Sequence, residues 1–329
     1  MADVPQPDEG KQENQTRMDV SIIYVNWNSV DYIRESIRSV YQQTRGIRFE
    51  IIVVDNASPA GNVDLLKQEF PETTLIKSAT NLGFAGANNL GYKSCSGETI
   101  LFLNPDTKLV SPAINVMLGH LQSLPDAGII GCKLLNSDLS VQTSCIQTFP
   151  TILNQVLDVE FLRRRWPKNP LWGIGALYSD SPEPAEVEVV SGACLMIKRA
   201  AFEKVSLFSE DYFMYAEDLD LCYKVAQAGF TNYYTGDAAI IHYGGKSSEP
   251  QSATMMKWRA IPRFCDKNRG RLYGSIFRIV MALTAMCRLV VIKVASVFGN
   301  RFAPQTDLKS ALAKWRTILS ILLTQSAPS

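Results

Sequence analysis

Histidine is scarce in this chain of 329 residues, which contains only His120 and His242, and none of its seven cysteines belongs to a C-x-x-C pair. These absences argue against a zinc centre, because such sites are built from clustered cysteine and histidine ligands. The odd number of cysteines, several of them inside apolar runs, is typical of buried free thiols in a reducing compartment. A G-x-G-x-x-G sequence is also absent, so the fingerprint of dinucleotide-binding folds is not matched.

No signal peptide is expected, because residues 1–17 are polar, and the apolar C-terminal part contains no uninterrupted apolar run of eighteen residues. Its most apolar stretch, residues 274–298, is interrupted by Arg278, Arg288 and Lys293. On a helical wheel these charges and Arg271 fall on one side, which predicts a basic amphipathic helix. Such a helix either lies in a membrane interface or packs on the protein's own body. The opposite side carries Ile276, Ile279, Val280, Leu283, Met286 and Val290.

Positive charge is concentrated in the last quarter of the chain, although the formal net charge is only +1. Residues 251–329 contain thirteen Lys or Arg and two acidic residues, which leaves twenty basic and thirty acidic residues in 1–250. A basic tail on an acidic body predicts an anionic partner, such as a membrane surface or a phosphorylated lipid. We expect no nucleic-acid partner, because the body is acidic and the tail has an apolar side.

Short apolar runs alternate with helical patterns, which is typical of a parallel sheet covered by helices on both faces. Strands are predicted at Val20–Val25, Glu50–Val54, Thr74–Ile76, Thr99–Leu103, Gly128–Cys132, Val187–Ile197 and Ile240–Tyr243. Helices are predicted at Val30–Gln43, Ala85–Ser94, Ser111–Ser123 with Ser111 as the cap, and from Glu217 to before Gly229.

Three regions follow from these patterns. Residues 1–18 are polar and are expected to be a disordered tail, residues 19–250 form the α/β domain, and residues 251–329 form a basic helical extension. Prolines break the pattern from about residue 142 to residue 188, so an irregular insertion is expected there.

Polar side chains stand just past the ends of the predicted strands. Asn26 and Asp55 each follow one strand, and Asn104 and Asp106 follow another. In open α/β sheets, ligands bind beyond the carboxyl ends of the strands. Oxygen ligands of this kind suit Mg²⁺ or Mn²⁺ completed by phosphates, although Asn-Pro-Asp is also a common turn sequence.

Three carboxylates, Glu217, Asp218 and Asp220, are clustered at a predicted helix start. The helix dipole stabilises carboxylates at this position, which is the purely structural interpretation. Three carboxylates in four residues exceed what capping requires, so one of them is a candidate general base for an attacking hydroxyl.

Two glycine-containing loops are candidates for ligand binding. His242 precedes a Gly-Gly-Lys sequence that ends at Lys246 and whose backbone and ammonium group suit a diphosphate. A lone histidine is otherwise more often structural. In Asn81–Asn89, Gly83 and Gly86 allow the backbone to approach a ligand ahead of a helix.

In their order along the chain, these stretches and the Val54–Ser58 segment resemble the motifs of family 2 glycosyltransferases with the GT-A fold. The similarity is highest to bacterial rhamnosyltransferase-like members and extends over about Asp19–Ser248. It implies an α/β fold with a mostly parallel nucleotide-binding sheet flanked by helices, followed by a C-terminal helical extension. It also implies inverting, metal-dependent transfer of a sugar from a nucleotide diphosphate to an acceptor hydroxyl in cell-surface polysaccharide synthesis.

The resemblance assigns roles to individual residues. Asp218 matches the catalytic base, beside Glu217, and Asp106 and His242 match ligands of Mg²⁺ or Mn²⁺. Asn104 stands where the family often has an acidic residue. The nucleotide-sugar-binding residues that the resemblance implies are Asn26, Asp55, Asn81, Gly83, Gly86, Asn89, Asn104, Gly192 and Lys246.

Processive synthases of this family carry Gln-x-x-Arg-Trp, whereas Leu162–Trp166 begins with Leu, so transfer of a single sugar is expected. The resemblance suggests dTDP-rhamnose as donor, with UDP- and GDP-sugars left open. A lipid-linked saccharide is one candidate acceptor, and the basic tail would then hold the protein on the cytoplasmic face of the cell membrane. The alternative is a non-catalytic nucleotide-sugar-binding or scaffold protein on the same fold.

Overall fold

The structure is a computed structural model, and it describes residues 18–179, 181, 183–244, 250–297 and 305–324. Nearly all of the tail expected at 1–18 lies outside these residues. The strands are β1 Val20–Asn26, β2 Phe49–Asp55, β3 Thr74–Lys77, β4 Thr99–Leu103, β5 Thr107–Leu109, β6 Ala127–Leu135, β7 Ile146–Gln147, β8 Ala185–Glu186, β9 Val189–Val190, β10 Cys194–Lys198 and β11 Thr231–His242. The helices are α1 Val30–Gln43, α2 Asp64–Glu69, α3 Gly83–Tyr92, α4 Ala113–Ser123, α5 Ile152–Val156, α6 Glu160–Arg165, α7 Arg199–Lys204, α8 Glu217–Gln227, α9 Pro250–Arg269, α10 Arg271–Val297 and α11 Gln305–Thr324.

A nine-stranded sheet forms the centre of the protein. Its strands are ordered β3-β2-β1-β4-β10-β6-β11-β5, and β8 pairs with β11. β3, β2, β1 and β4 are mutually parallel, as are β6 and β11, while β10 runs antiparallel between β4 and β6. Helices cover both faces, so the predicted α/β class with a C-terminal helical extension is confirmed.

The apolar strands supply two cores, one on each face of the sheet. In β1, Val20, Ile22 and Tyr24 belong to the core under α1 and α4, whereas Ile23 belongs to the opposite core. Successive strand side chains point to opposite faces, so a continuous apolar run is needed when both faces are covered. This arrangement leaves few polar residues inside the strands, among them the buried Ser21 and Thr235.

Two local predictions were wrong. The strand expected over Val187–Ile197 is divided, because β9 pairs with β7 in a separate two-stranded sheet while β10 joins the central sheet. Gly192 therefore lies in the connection between two strands, not inside one. Ser111 does not cap α4, because its hydroxyl donates to the carbonyl of Ala239 at 3.0 Å and accepts from the Ala239 N–H at 3.1 Å.

The C-terminal helices share a core with the sheet, since Trp258 and Phe264 of α9 and Phe277 of α10 are buried in the same cluster as Phe102 of β4. The ion pair between Arg278 and Asp266 joins α9 to α10, with Arg278 Nη1 donating to Asp266 Oδ1 at 3.0 Å. This packing brings the extension against the body of the protein, while the division at residue 250 stays a prediction.

The orientation of α10 differs from the simplest expectation for a basic amphipathic helix. Arg278 is only 9% exposed, and Arg288 donates to the carbonyls of Val156 and Asp158 at 2.7 and 3.1 Å. These two arginines therefore turn toward the protein. Arg271 and Lys293 are exposed, but most exposed side chains of the helix are apolar: Leu272, Ile276, Ile279, Leu283, Met286, Val290, Val291 and Val294.

Candidate active site

Asn26 and Asp55 meet at the carboxyl ends of β1 and β2. The Asn26 amide donates to Asp55 Oδ1 at 2.8 Å and to Ser58 Oγ at 3.1 Å, and its oxygen accepts from the Ser29 N–H at 3.0 Å. Asn26 is fully buried, so these bonds occupy its side chain and orient the Asp55 carboxylate. Within the described part of the chain, Asp55 Oδ2 has no hydrogen-bond partner and is the atom available to a ligand.

Asn56 is a residue that the sequence reasoning did not single out, although it lies in the Val54–Ser58 segment. Its amide donates to Asn81 Oδ1 at 2.9 Å and to the Gly83 carbonyl at 3.1 Å, and its oxygen accepts from the Leu82 N–H at 2.8 Å. Asn56 thereby fixes the loop before α3 to the end of β2. Asn81 and Gly83, which were predicted to bind the nucleotide, are thus placed beside Asp55.

Gly83 is required by close backbone packing. Its φ is +71°, and a Cβ atom there would lie 2.3 Å from the carbonyl oxygen of Phe213. The Phe84 N–H donates to that same carbonyl at 2.8 Å. The loop before α3 is consequently attached to the segment that precedes α8.

Gly86 and Asn89 have different surroundings from those expected of ligand-binding residues. A Cβ at Gly86 would lie 3.1 Å from Leu82 Cβ, so this glycine serves close packing of the loop. The Asn89 amide donates to the Phe208 carbonyl and to Glu210, and its oxygen accepts from the Phe208 N–H. Since these bonds occupy the Asn89 side chain, we assign it a structural role.

Asp106 and His242 face each other across the ends of β4 and β11. His242 Nε2 lies 3.4 Å from Asp106 Oδ1 and 3.4 Å from Asn104 Nδ2. The other ring nitrogen, Nδ1, lies 3.0 Å from Gln142 Oε1, and the Gln142 amide donates to the His242 carbonyl at 2.6 Å. Gln142 was not predicted, because its contact depends on a loop 100 residues away from the histidine.

This arrangement fits a divalent cation whose coordination shell is completed by phosphate oxygens. A hydrogen bond from Nδ1–H to Gln142 would leave Nε2 as the lone-pair nitrogen directed at Asp106, the usual orientation of a metal-binding imidazole. Among the described residues there is no group of three or more His, Cys, Asp or Glu that could enclose a metal. One carboxylate and one imidazole suit Mn²⁺ or Mg²⁺ held partly by substrate phosphates. Lys246 lies outside the described residues.

Asp218 is the second residue of α8, a helix that directly follows two residues with positive φ, Tyr215 at 69° and Ala216 at 66°. Its Oδ2 accepts from the Gly192 N–H at 3.0 Å, and its Oδ1 accepts from the Leu219 N–H at 2.9 Å. Burial raises the pKa of Asp218, and these backbone bonds and the charge of Lys257 oppose that shift. The result is an oriented carboxylate with a raised pKa, as a general base requires.

The two neighbouring carboxylates have different environments. Burial, together with the charge of Asp218, raises the pKa of Glu217 well above its usual value, and its Oε2 has no partner among the described residues. Asp220 is fully buried and is bonded to Ser209, Tyr212, Lys267 and Asn268. Asp220 thus connects α8 to α9, whereas the raised pKa of Glu217 favours its protonated form.

Backbone contacts connect the two halves of the site. The Asn104 N–H donates to the carbonyl of Ala193 at 3.0 Å, one residue after the Gly192 N–H that binds Asp218. A Cβ at Gly192 would lie 3.4 Å from Asp218 Cβ and 3.7 Å from the ring of Phe84. The candidate metal ligands, Asp106 and His242, therefore belong to the same region as the candidate base and the loop before α3.

Comparison with known proteins identifies the relatives of this chain. Residues 21–206 match the family described as Glycosyl transferase family 2. An N-acetylglucosaminyl-diphospho-decaprenol L-rhamnosyltransferase of Mycobacterium tuberculosis is 31% identical over 211 residues, which are 60% of this chain and 67% of that protein. The rhamnosyltransferase WbbL of Escherichia coli is 25% identical over 270 residues, which are 78% of this chain and 95% of that protein.

Solved structures support the fold. A mannosyltransferase from Pyrobaculum calidifontis, in complex with GDP-Man and Mn²⁺, matches with a TM-score of 0.60 at 14% identity, over 94% of this chain and 87% of its own. GalNAc-T7, with UDP, GalNAc and Mn²⁺, matches with a TM-score of 0.59 at 13% identity, over 92% of this chain and 55% of its own. At these identities the similarity shows the fold alone.

Proposed function

This chain belongs to glycosyl transferase family 2, and we propose that it transfers a single sugar, with inversion, from a nucleotide diphosphate sugar to a hydroxyl of a cell-surface glycan precursor. The observation that carries the proposal is Asp218, which is oriented by Gly192 and Leu219, while a backbone bond from Asn104 to Ala193 connects this segment to the one that carries Asp106. A carboxylate base and a diphosphate-binding group on one region are the two requirements of direct sugar transfer.

In the proposed reaction, Asp218 accepts the proton of the acceptor hydroxyl as its oxygen attacks the anomeric carbon. The bond to the diphosphate breaks on the opposite face of the sugar, so one displacement inverts the configuration and no covalent sugar–enzyme intermediate forms. Gly192 and Leu219 hold the carboxylate in position through the two backbone N–H bonds. A divalent cation at Asp106 and His242 would offset the negative charge that grows on the leaving diphosphate.

The nucleotide is proposed to bind at the ends of β1 and β2, with Asp55 Oδ2 and the loop at Asn81 and Gly83 as its contacts. The rhamnosyltransferase relatives favour dTDP-rhamnose as the donor. The Mn²⁺ in both structural neighbours favours a divalent cofactor, either Mn²⁺ or Mg²⁺. UDP- and GDP-sugars are the alternative donors, which only a binding experiment separates.

The first experiment is calorimetric titration of the purified chain with dTDP-rhamnose, UDP-sugars and GDP-sugars, in Mn²⁺, in Mg²⁺ and in EDTA. We expect one donor to bind, and to bind more weakly in EDTA. Weaker metal-dependent binding in Asp106→Ala, compared with the unchanged protein, would assign the metal to that carboxylate. Failure of every donor to bind in any condition would favour the non-catalytic scaffold interpretation.

A lipid-linked acceptor and a peripheral position on the cytoplasmic face of the membrane are the second part of the proposal. The name of the mycobacterial relative contains a diphospho-decaprenol acceptor. Among the described residues, α10 is the one helix long and apolar enough to cross a membrane, by length and composition only. Its inward-turned arginines, Arg278 and Arg288, favour a helix that lies in the interface with its apolar side in lipid.

This position is tested by co-sedimentation with phosphatidylglycerol and phosphatidylcholine vesicles at low and high salt. We expect binding that survives high salt in part, because apolar insertion is not screened by ions. Ile279→Glu and Val290→Glu on the exposed side should abolish it. Retention of the unchanged chain in the supernatant with both vesicle types would refute membrane attachment.

A further inference from the structure

A cavity lies among the C-terminal helices. It has a volume of about 140 Å³ and is lined by residues of α9, α10 and α11 and of the segment around α5. Such a volume is smaller than the roughly 300–1,000 Å³ of pockets that hold drug-sized ligands. The lining residues are Gln155, Asp158, Thr254, Lys257, Trp258, Arg288, Lys314 and Trp315.

The cavity carries an excess of positive charge. Lys257, Arg288 and Lys314 face it with a single acid, Asp158. That carboxylate already contacts Arg163, whose Nε lies 3.1 Å from Asp158 Oδ1. Within the described part of the chain, no carboxylate approaches Lys257 or Lys314 within 4.0 Å. The two ammonium groups are thus left for an anion from outside.

Arg288, Trp258 and Trp315 pack together in the lining of the cavity. The Arg288 guanidinium lies 4.4 Å from the centre of the Trp315 ring and is anchored by the carbonyls of Val156 and Asp158. Trp258 and Trp315 pack against each other with ring centres 6.3 Å apart. The side chains of Lys257 and Lys314 are exposed, so an anion from solvent can reach them. A phosphate group would offset the positive charge of these two ammonium groups.

The helices that line the cavity connect it to the candidate base and to the exposed apolar side of α10. Hydrogen bonds from Lys267 and Asn268 to Asp220 hold α9, the helix of Lys257, against α8, the helix of Asp218. On the other side, Arg288 lies on the same helix as the exposed Val290 and Val291. A ligand with a sugar at one end, a phosphate in the middle and an apolar chain at the other end fits this order.

We propose that Lys257, Arg288 and Lys314 bind the diphosphate of a polyprenyl-diphosphate-linked acceptor, with its sugar toward Asp218 and its apolar chain along α10. The inference rests on the proposed function, because it names the acceptor class of that same site. It adds a phosphate-binding site distinct from the one that holds the donor diphosphate.

The test is titration of the full chain with geranyl diphosphate in EDTA and without nucleotide. Binding is monitored by calorimetry and by tryptophan fluorescence, to which Trp258 and Trp315 contribute. We expect Lys257→Ala and Lys314→Ala each to weaken binding by about tenfold to a hundredfold, the usual contribution of one charged hydrogen bond. Lys309→Ala, an exposed lysine on α11 that does not line the cavity, is the matched control and should bind as the unchanged chain does.

Three results would overturn the inference. One is the absence of geranyl diphosphate binding, and another is equal binding by the lysine variants and the control. The third is a loss of binding to phosphatidylglycerol vesicles in the two lysine variants with no loss for geranyl diphosphate, which would assign the cavity to a lipid headgroup. Donor titration with Mn²⁺ on the same samples tests the proposed function separately, because it does not involve this cavity.

Discussion

Substitution of Asp218 by Asn gives the sharpest prediction for the catalytic step. The variant keeps the shape of the side chain, and its one oxygen can still accept from either the Gly192 or the Leu219 N–H, which now lie 3.0 and 2.9 Å from the carboxylate. One backbone bond is lost, at a cost of about 1 kcal/mol, so the fold should persist. The base is lost completely, so we expect the transfer rate to fall by about 10²- to 10⁴-fold.

The assay is sugar transfer as a function of pH, together with donor binding. Transfer needs ionised Asp218, whose pKa is raised chiefly by burial, so the rate should fall as the pH drops through that raised value. In the pH–rate profile, the fall in transfer rate at low pH should therefore begin above the pH at which an ordinary aspartate titrates. This fall should be absent in Asp218→Asn. Donor affinity should remain unchanged, because the substitution affects proton removal.

Glu217→Gln is the matched control on the neighbouring residue. Burial and the charge of Asp218 raise the pKa of Glu217 and so favour its protonated form, which an amide resembles in size and charge. We expect this variant to keep its transfer rate within about tenfold, below the range expected for loss of a base. Near-normal transfer by Asp218→Asn, or an equal loss in both variants, would refute the assignment of Asp218 as the base.

Four further predictions concern the surroundings of the site and the helical extension. Gln142→Leu removes the acceptor for His242 Nδ1 and should weaken Mn²⁺ affinity in the presence of nucleotide by about 10- to 100-fold. Gly83→Ala introduces a Cβ 2.3 Å from the Phe213 carbonyl at a positive φ, and should lower the free energy of unfolding by about 1–3 kcal/mol and weaken donor binding. Arg278→Ala leaves Asp266 buried without its partner and should cost about 3–5 kcal/mol in urea denaturation. Glu217→Gln should be more stable than the unchanged protein at neutral pH. The pKa of Glu217 is raised in the folded state, so the unchanged protein loses free energy of unfolding as the pH rises above the pKa of this residue in the unfolded chain.

Each of these has a control. Gln142→Glu keeps an acceptor oxygen and should retain metal binding, so an equal loss would contradict the orienting role. Gly61→Ala shares the positive φ of 63° but has nothing within 4 Å, so it isolates backbone strain from the clash. Arg263→Ala breaks an exposed ion pair and should lower the free energy of unfolding by at most about 1 kcal/mol. An equally small loss for Arg278→Ala would contradict the argument from burial of its ion pair. The stability gain of Glu217→Gln should disappear below about pH 4, and a gain that persists there would exclude the protonation explanation.

Much of the framework could be predicted because strand and helix periodicity is local. The apolar run of β1 and the position of Asp55 at the end of β2 follow from residues adjacent in sequence. Asn56 and Gln142 could not be found in this way, because their roles depend on loops that meet only after folding. The predicted binding roles of Asn81, Asp106 and His242 remain predictions, since only a ligand tests them.

A helical wheel likewise cannot show which side of a helix faces the protein. In α10 the arginines define one side, but Asp266 and the carbonyls at the end of α5 satisfy Arg278 and Arg288 inside the protein. Gly192 shows a similar limit, because the change from one sheet to another interrupts a continuous apolar pattern.

The inverted orientation of α10 has a consequence for how the protein behaves in water. Its exposed side carries eight large apolar side chains between Leu272 and Val294, and monomeric proteins rarely leave large apolar patches uncovered. Without lipid or detergent, this surface favours contact between copies of the chain. Oligomers seen in detergent-free buffer would then report on the missing lipid and not on the quaternary structure of the enzyme at work.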